Sequence, residues 1–292
     1  MRRVLAVFAA LLSIAAVAQE KGEWKEKFEQ IDPMLPTPNE YRSASGAPGP
    51  DYWQQQADYK IMVNIDDDTQ KLTGSEVITY TNNAPDELRY VWVQLDQNVR
   101  EQNSLSSQVS AASSWSRFRD TLSTTGLKRI TGLTDYDGGF KIMSVKDMSG
   151  NDLMATVNFT MMRVELPKPI SQGESTQLQI EWWYNINDRA EVGGRGGLEY
   201  FPEDDNYVYT MAQWFPRMAV YDDVNGWQNK QFLGTGEFAL PFGDYEVEIT
   251  VPSDHIVAAT GVLQNSGAVL SKQQAARLKE AENSETPVMI VT

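Results

Sequence analysis

The sequence predicts an all-β fold: a large antiparallel sheet domain, built as a sandwich or a broad curved sheet, with one short helix near the C-terminus. Three observations predict it. Apolar residues recur with a period of two over much of the chain after Asp51. Clusters of Asp, Asn, Gly and Pro separate those runs at short intervals, as in sheets built from hairpins. Only one stretch, after Leu270, joins an apolar helical side to a helix start signal.

Residues 1–18 read as a secretory signal. Arg2 and Arg3 form a positive start, Val4 to Val17 is apolar apart from Ser13, and Ala16-Val17-Ala18 is a small-x-small cleavage pattern. The run is short of the ~20 apolar residues that a membrane span requires. The expectation is export to a periplasm or the cell exterior, with the mature chain starting at Gln19. Residues 19–50 form an irregular lead-in. Lys21 to Gln30 has the composition of a short polar helix, and Pro33, Pro36, Pro38, Pro48 and Pro50 then interrupt regular structure. The β-domain is assigned to residues 51–292.

Within it, Tyr59, Ile61, Val63 and Ile65 alternate with Lys60, Met62 and Asn64. Asp66-Asp67-Asp68 turns the chain into Leu72, Gly74, Glu76, Ile78 and Tyr80. Asn82 to Asp86 turns it again, into Leu88 to Leu95. The three runs predict a meander. Serines crowd residues 104–123, so 97–139 reads as a mobile loop or insertion carrying a short helix near Val109 to Phe118. Strands resume at Lys141 to Val145 and Leu153 to Phe159, which flank a Ser149-Gly150-Asn151-Asp152 turn, and continue at Met161 to Leu166 and Gln177 to Tyr184. Tyr245, Val247, Ile249 and Val251 alternate with Glu246, Glu248 and Thr250, the pattern of a half-exposed strand. Ser271, with Gln274 three residues on, is a capping-box start for the late helix, and Ala275, Ala276 and Leu278 supply its apolar side. Pro287 to Thr292 reads as a final strand. It stops without a turn or a polar tail, so the expectation is a truncated chain.

The composition narrows the chemistry. The chain has one histidine, His255, and no cysteine. A protein zinc site draws mainly on His and Cys, and a Ser or Cys nucleophile needs an imidazole beside it. Neither set can be assembled here, so catalytic and metal-binding residues are expected to be absent from this chain. His255, at a strand end after Pro252-Ser253-Asp254, is expected on the surface. An exported chain without cysteine relies on its core rather than on disulfides. The net charge is −15. Loss of Arg2 and Arg3 leaves 23 basic against 40 acidic residues, or −17. Such a surface repels phosphate backbones and anionic lipid, so neither nucleic acid nor membrane is an expected partner.

The densest segment is Gln213 to Gly243. It sets Trp214, Phe215, Tyr221 and Trp227 near Arg217, Asp222 and Asp223. Composition alone reads as a core corner in which Asp222 or Asp223 satisfies Arg217. The run QWFPRMAVYDDVNGWQ, followed by FGDYEVEITVPSDHIVAATG, resembles the amino-terminal domain of the aminopeptidase N family of zinc metallopeptidases. The Asp58 to Tyr80 hairpin, with Leu72-x-Gly74, fits how such domains begin, and the resemblance spans most of 51–292. It implies a saddle-shaped β-domain that packs on a thermolysin-like zinc domain and helps shape the pocket for the amino terminus of a peptide substrate. Gln213 is the residue implied to face that pocket, with Arg217 and Asp222 supporting its strand. The Gln213–Arg217 spacing is one residue shorter than the usual family pattern. The family's H-E-x-x-H and G-x-M-E-N motifs do not occur, so zinc is implied only in a catalytic domain outside this chain. A second reading stands beside this one: a stand-alone exported β-sandwich that binds glycan or protein ligands. It rests on eight tryptophans, since sugars stack on exposed aromatic faces.

Overall fold

The computed structural model describes residues 38–114, 124, 136–236 and 238–291. The predicted signal, the Lys21–Gln30 helix, part of the Val109–Phe118 helix and Thr292 lie outside them. The chain divides into two units, Met1–Tyr52 and Trp53–Thr292. The described part of the first is a knot of turns. Asn39 Oδ1 accepts from the amides of Tyr41 and Arg42, both at 2.8 Å, and Arg42 lies 5.0 Å from the centroid of the Tyr52 ring.

The second unit is the β-sandwich. Its strands are β1 (Gln56–Asp66), β2 (Lys71–Thr81), β3 (Leu88–Gln94), β4 (Lys141–Lys146), β5 (Ala155–Asn158), β6 (Met161–Ile170), β7 (Ser175–Asn185), β8 (Gly197–Phe201) and β9 (Asn206–Thr210). After them come β10 (Arg217–Met218), β11 (Tyr221–Asp222), β12 (Gly226–Trp227) and β13 (Tyr245–Thr250). One sheet runs β13-β1-β2-β7-β4 and a second runs β10-β3-β6-β5, while β8-β9 and β11-β12 are separate ribbons. A single apolar cluster takes Ile61, Ile78 and Ile180 from the first sheet and Val91, Val93 and Val164 from the second. The two sheets therefore share one core.

Period two produces this directly. In β1 the buried side chains are Ala57, Tyr59, Ile61, Val63 and Ile65, which is one face of a pleated strand. In β7 they are Leu178, Ile180, Trp182 and Tyr184. Trp182 fits because Gly74 opposes it across the β2–β7 ladder. A Cβ on Gly74 would stand 2.5 Å from Trp182 Cζ2, so the strand glycine is the seat of the indole.

Several expectations are corrected. The first three strands are not a meander. β2 pairs with β1 and with the distant β7, and β3 crosses to the second sheet. The turn after β4 also carries the chain between sheets. It is organised by Asp147 Oδ1, which accepts from the amides of Ser149 at 2.8 Å and Asn151 at 2.9 Å. The sheets are not wholly antiparallel, because β13 runs parallel to β1 from Tyr59↔Tyr245 to Asn64↔Thr250. As an outer strand with one neighbour, β13 is exposed at every residue except the half-buried Ile249, rather than half-covered. The start of the 97–139 segment is not loose. A 3-10 turn spans Asp96–Arg100, with Asp96, Gln97 and Asn98 buried. Asn98 ties it down, donating to Phe159 O and accepting from Phe140 N, both at 2.8 Å.

Helix α1 (Leu105–Ser114) follows. It starts four residues before the Val109 expected from the sequence. The late helices are α2 (Ser266–Val269) and α3 (Lys272–Ala281). The predicted capping box is present: Ser271 Oγ accepts from Gln274 N at 3.2 Å, and Ser271 N donates to Gln274 Oε1 at 2.8 Å. No strand forms over 287–291, where no neighbouring strand supplies a ladder.

Candidate functional site

The Gln213–Trp227 segment is held against the mouth of the sandwich by an aromatic clamp and one buried charge pair. Tyr59 stacks on Tyr245 at 4.8 Å, and Phe215 meets Tyr59 edge-on at 5.6 Å. Trp214 leans on Phe215 at 4.7 Å. The Tyr59 hydroxyl accepts from Met218 N at 2.9 Å, which aligns β10 with the edge of β3.

Arg217 is placed by its pairing with Gln94. Its side chain reaches Asp96, not Asp222 or Asp223. Nε donates to Asp96 Oδ2 at 3.0 Å, Nη2 donates to the same oxygen, and Nη2 reaches Gln94 Oε1 at 3.5 Å. Asp96 is buried, and burial pushes its carboxyl above the ordinary value despite the opposing pull of Arg217. Asp222 instead builds the β11–β12 turn. Its Oδ1 accepts from Val224 N at 3.0 Å and Asn225 N at 2.7 Å, and its Oδ2 accepts from Gln228 Nε2 at 2.6 Å. Arg217 and Asp222 thus organise separate parts of the segment.

Gln213 lies between β9 and β10 in a left-handed conformation, φ 55°, which is uncommon for a residue with a side chain. Gln97 holds it there. Its Nε2 is shared between Ala212 O at 3.1 Å and Gln213 O at 3.0 Å. The Gln213 side chain is half-buried, and no hydrogen bond to its carboxamide forms among the described residues. An amide oxygen in this position can accept from an ammonium group.

His255 is half-buried rather than fully at the surface. Its side chain is 14 % exposed and pairs with Asp254 Oδ1 through Nδ1 at 3.0 Å. Its ring lies 5.6 Å from that of Tyr209, and Nε2 is buried with no partner among the described residues. Among the described residues no three His, Cys, Asp or Glu side chains come together as metal ligands. The residues here do not fit a zinc centre, and no step through a metal is drawn from them. Asp66, in the acidic turn after β1, spends Oδ1 on the amides of Asp68 at 3.0 Å and Thr69 at 3.1 Å.

Sequence reasoning missed four residues. Glu76 is fully enclosed, and among the described residues neither of its carboxyl oxygens has a partner. Its place in the period-two register of β2 was the available signal. Asp96 carried no local signal as the mate of Arg217, since 121 positions separate them. Arg100 and Gln97 lay in a segment read as loop.

No protein-family model matches the chain, and no curated protein does. Among solved structures, the chain is similar to a mutant M1 zinc metallopeptidase from Deinococcus radiodurans bound to a Tyr-Ser-Ala substrate. The identity is 14 %, the TM-score is 0.37, and 73 % of this chain and 36 % of that one are covered. A two-domain M1 zinc metallopeptidase mutant bound to L-tryptophan gives 13 %, 0.36, 72 % and 35 %. The chain spans about a third of the length of these structures. Likeness at this distance assigns no activity.

Proposed function

We propose that the chain is a non-catalytic amino-terminal β-domain of an exported zinc aminopeptidase. In this reading it docks on a catalytic domain of the same polypeptide and helps shape the pocket for the amino terminus of a peptide substrate. Zinc and the catalytic groups belong to that partner domain, where a metal-activated water attacks the scissile carbonyl. Gln213 offers its carboxamide oxygen to the substrate ammonium, with Gln97 fixing its backbone and the Arg217–Asp96 pair fixing the strand that follows.

The observation that carries the reading is apolar exposure between residues 242 and 291. Phe242, Val262 and Met289 are 77 %, 81 % and 70 % exposed, and Tyr245, Val247 and Leu263 are exposed as well. Apolar surface left open in this way marks an interaction site. The glycan alternative calls for exposed coplanar aromatics. The six described tryptophans are all buried or half-buried. The tyrosines of the β8–β9 ribbon are tilted by 44° and 31° to their neighbours.

Sedimentation of the purified chain tests the reading. It predicts concentration-dependent self-association, reduced by Phe242→Ser together with Val262→Lys. A monodisperse monomer across the micromolar range, unchanged by those substitutions, contradicts it.

A further inference from the structure

The 3-10 turn Asp96–Arg100 grips the 212–217 segment at two points. Asp96 accepts from Arg217 Nε at 3.0 Å. Gln97 donates to Ala212 O at 3.1 Å and to Gln213 O at 3.0 Å. Asn98, the next residue, anchors the turn to the sandwich through Phe159 O and Phe140 N. Gln213 therefore leaves the clamped stretch from a fixed backbone, with φ 55°.

The Gln97 carboxamide can do this in one orientation only. Two carbonyl oxygens face its Nε2, so the amide must present N–H there and turn its oxygen away. Gln97 is 4 % exposed, and an unmet Oε1 would be a buried acceptor without a donor. Arg100 meets it: Nη1 donates to Oε1 at 2.7 Å. A guanidinium only donates, so this bond and the two carbonyl bonds demand the same orientation. The guanidinium is itself kept in place. Gly194 packs on it so closely that a Cβ there would stand 2.4 Å from Nη2. Buried Asn187 fixes that loop by donating to Gly193 O at 3.1 Å and to Gly196 O at 2.9 Å.

The opposing energies are of one size. A left-handed residue with a side chain carries a strain comparable to the net worth of one or two hydrogen bonds. The two Gln97 bonds supply about that much, and a buried Oε1 without a donor costs about as much again. Loss of Arg100 therefore tips the balance at Gln213. We propose that Arg100 is a positioning residue: by holding the Gln97 carboxamide it keeps Gln213 left-handed and sets the direction in which the Gln213 side chain is offered. The consequence for a substrate rests on the proposed contact between Gln213 and a substrate ammonium. The relay from Arg100 through Gln97 does not.

NMR of the isotope-labelled full chain tests it. A short amide–Hα distance within Gln213, read from the nuclear Overhauser effect, reports the positive φ. The unsubstituted chain is expected to show it. Arg100→Met should reduce the left-handed conformer to a minority. Gln97→Glu keeps a partner for Arg100 but has no N–H for the two carbonyls, so it should bring the same loss. Arg100→Lys still offers Oε1 a donor and should retain the left-handed form. Arg100→Met combined with Gln97→Glu should lose no more than either alone, because the two act in series. Arg189→Met removes an arginine that pairs with Glu199 on β8 at 3.0 Å and should leave Gln213 unchanged. If Arg100→Met does not fold, Arg100→Gln, polar but shorter, takes its place with the same expected loss. A positive φ retained in the folded Met or Gln variant overturns the proposal. So does a loss that Arg100→Lys shares, or one that Arg189→Met reproduces. The readout is conformation, so failure here leaves the aminopeptidase reading standing, and absence of peptidase activity leaves the relay standing.

Discussion

Replacing Glu76 by glutamine isolates the effect of one enclosed carboxyl. Glu76 is 1 % exposed, sits opposite Ile61 on one side and Ile180 on the other, and has no hydrogen bond to either oxygen among the described residues. Burial alone pushes its carboxyl well above the ordinary 4.5. Between that value and the raised one, the folded state holds a proton that the unfolded state has released. Stability therefore falls as pH rises through this window, by up to ~1.4 kcal/mol per pH unit. Below the ordinary value both states are protonated and the penalty vanishes. Glutamine keeps the shape and has no proton to lose. Urea unfolding of both proteins at about pH 4, 5, 6 and 7 gives the comparison. The difference between them cancels the contributions of Asp96 and Glu101, which are raised, and of Asp66, Asp147 and Asp254, which are lowered. The Gln protein should gain on the wild type by about 1 kcal/mol for each pH unit above 5, with little gain near pH 4. A difference that stays constant over the whole range would refute the reasoning.

Three further substitutions probe the same framework. Arg217→Met leaves Asp96 buried and unpaired and should cost about 3–5 kcal/mol in urea unfolding; a loss below about 1 kcal/mol would mean that the pair is solvated. Gly74→Val drives side-chain atoms into the Trp182 indole and should cost about 1–3 kcal/mol through overpacking, with a shift in tryptophan fluorescence that Thr73→Val does not produce. Asp222→Ala removes the acceptor of the β11–β12 turn and should cost about 1 kcal/mol, far less than Arg217→Met; equal losses would contradict their separate roles.

Period two made faces legible but not neighbours. Alternation in β1 and β2 placed Ile61 and Ile78 on single faces, and the capping box placed the start of α3, because both signals are local. The pairing of β2 with β7 and the parallel docking of β13 on β1 join segments far apart in sequence. No local pattern encodes them, and the expected meander failed for that reason. The same limit hid the site. Arg217 has two aspartates five and six residues away, but the strand geometry turns it toward Asp96. Gln97, Asn98 and Arg100 fell in a stretch with few large apolar groups. Their burial comes from side-chain hydrogen bonds to distant backbone, such as Asn98 to Phe159 O. His255 was expected at the surface because it ends a strand, yet the Tyr209 ring lies beside it. Gln213 was singled out by resemblance alone. The left-handed backbone that sets its orientation has no signature in the local residue types.

The most direct test of the proposed role is the mass of the native protein in its source cells, detected with an antibody to residues 51–292. The account predicts a polypeptide well above the 32.8 kDa of this chain, with zinc and aminopeptidase activity copurifying. A native mass at or below 32.8 kDa, with neither zinc nor activity in the purified material, would contradict it.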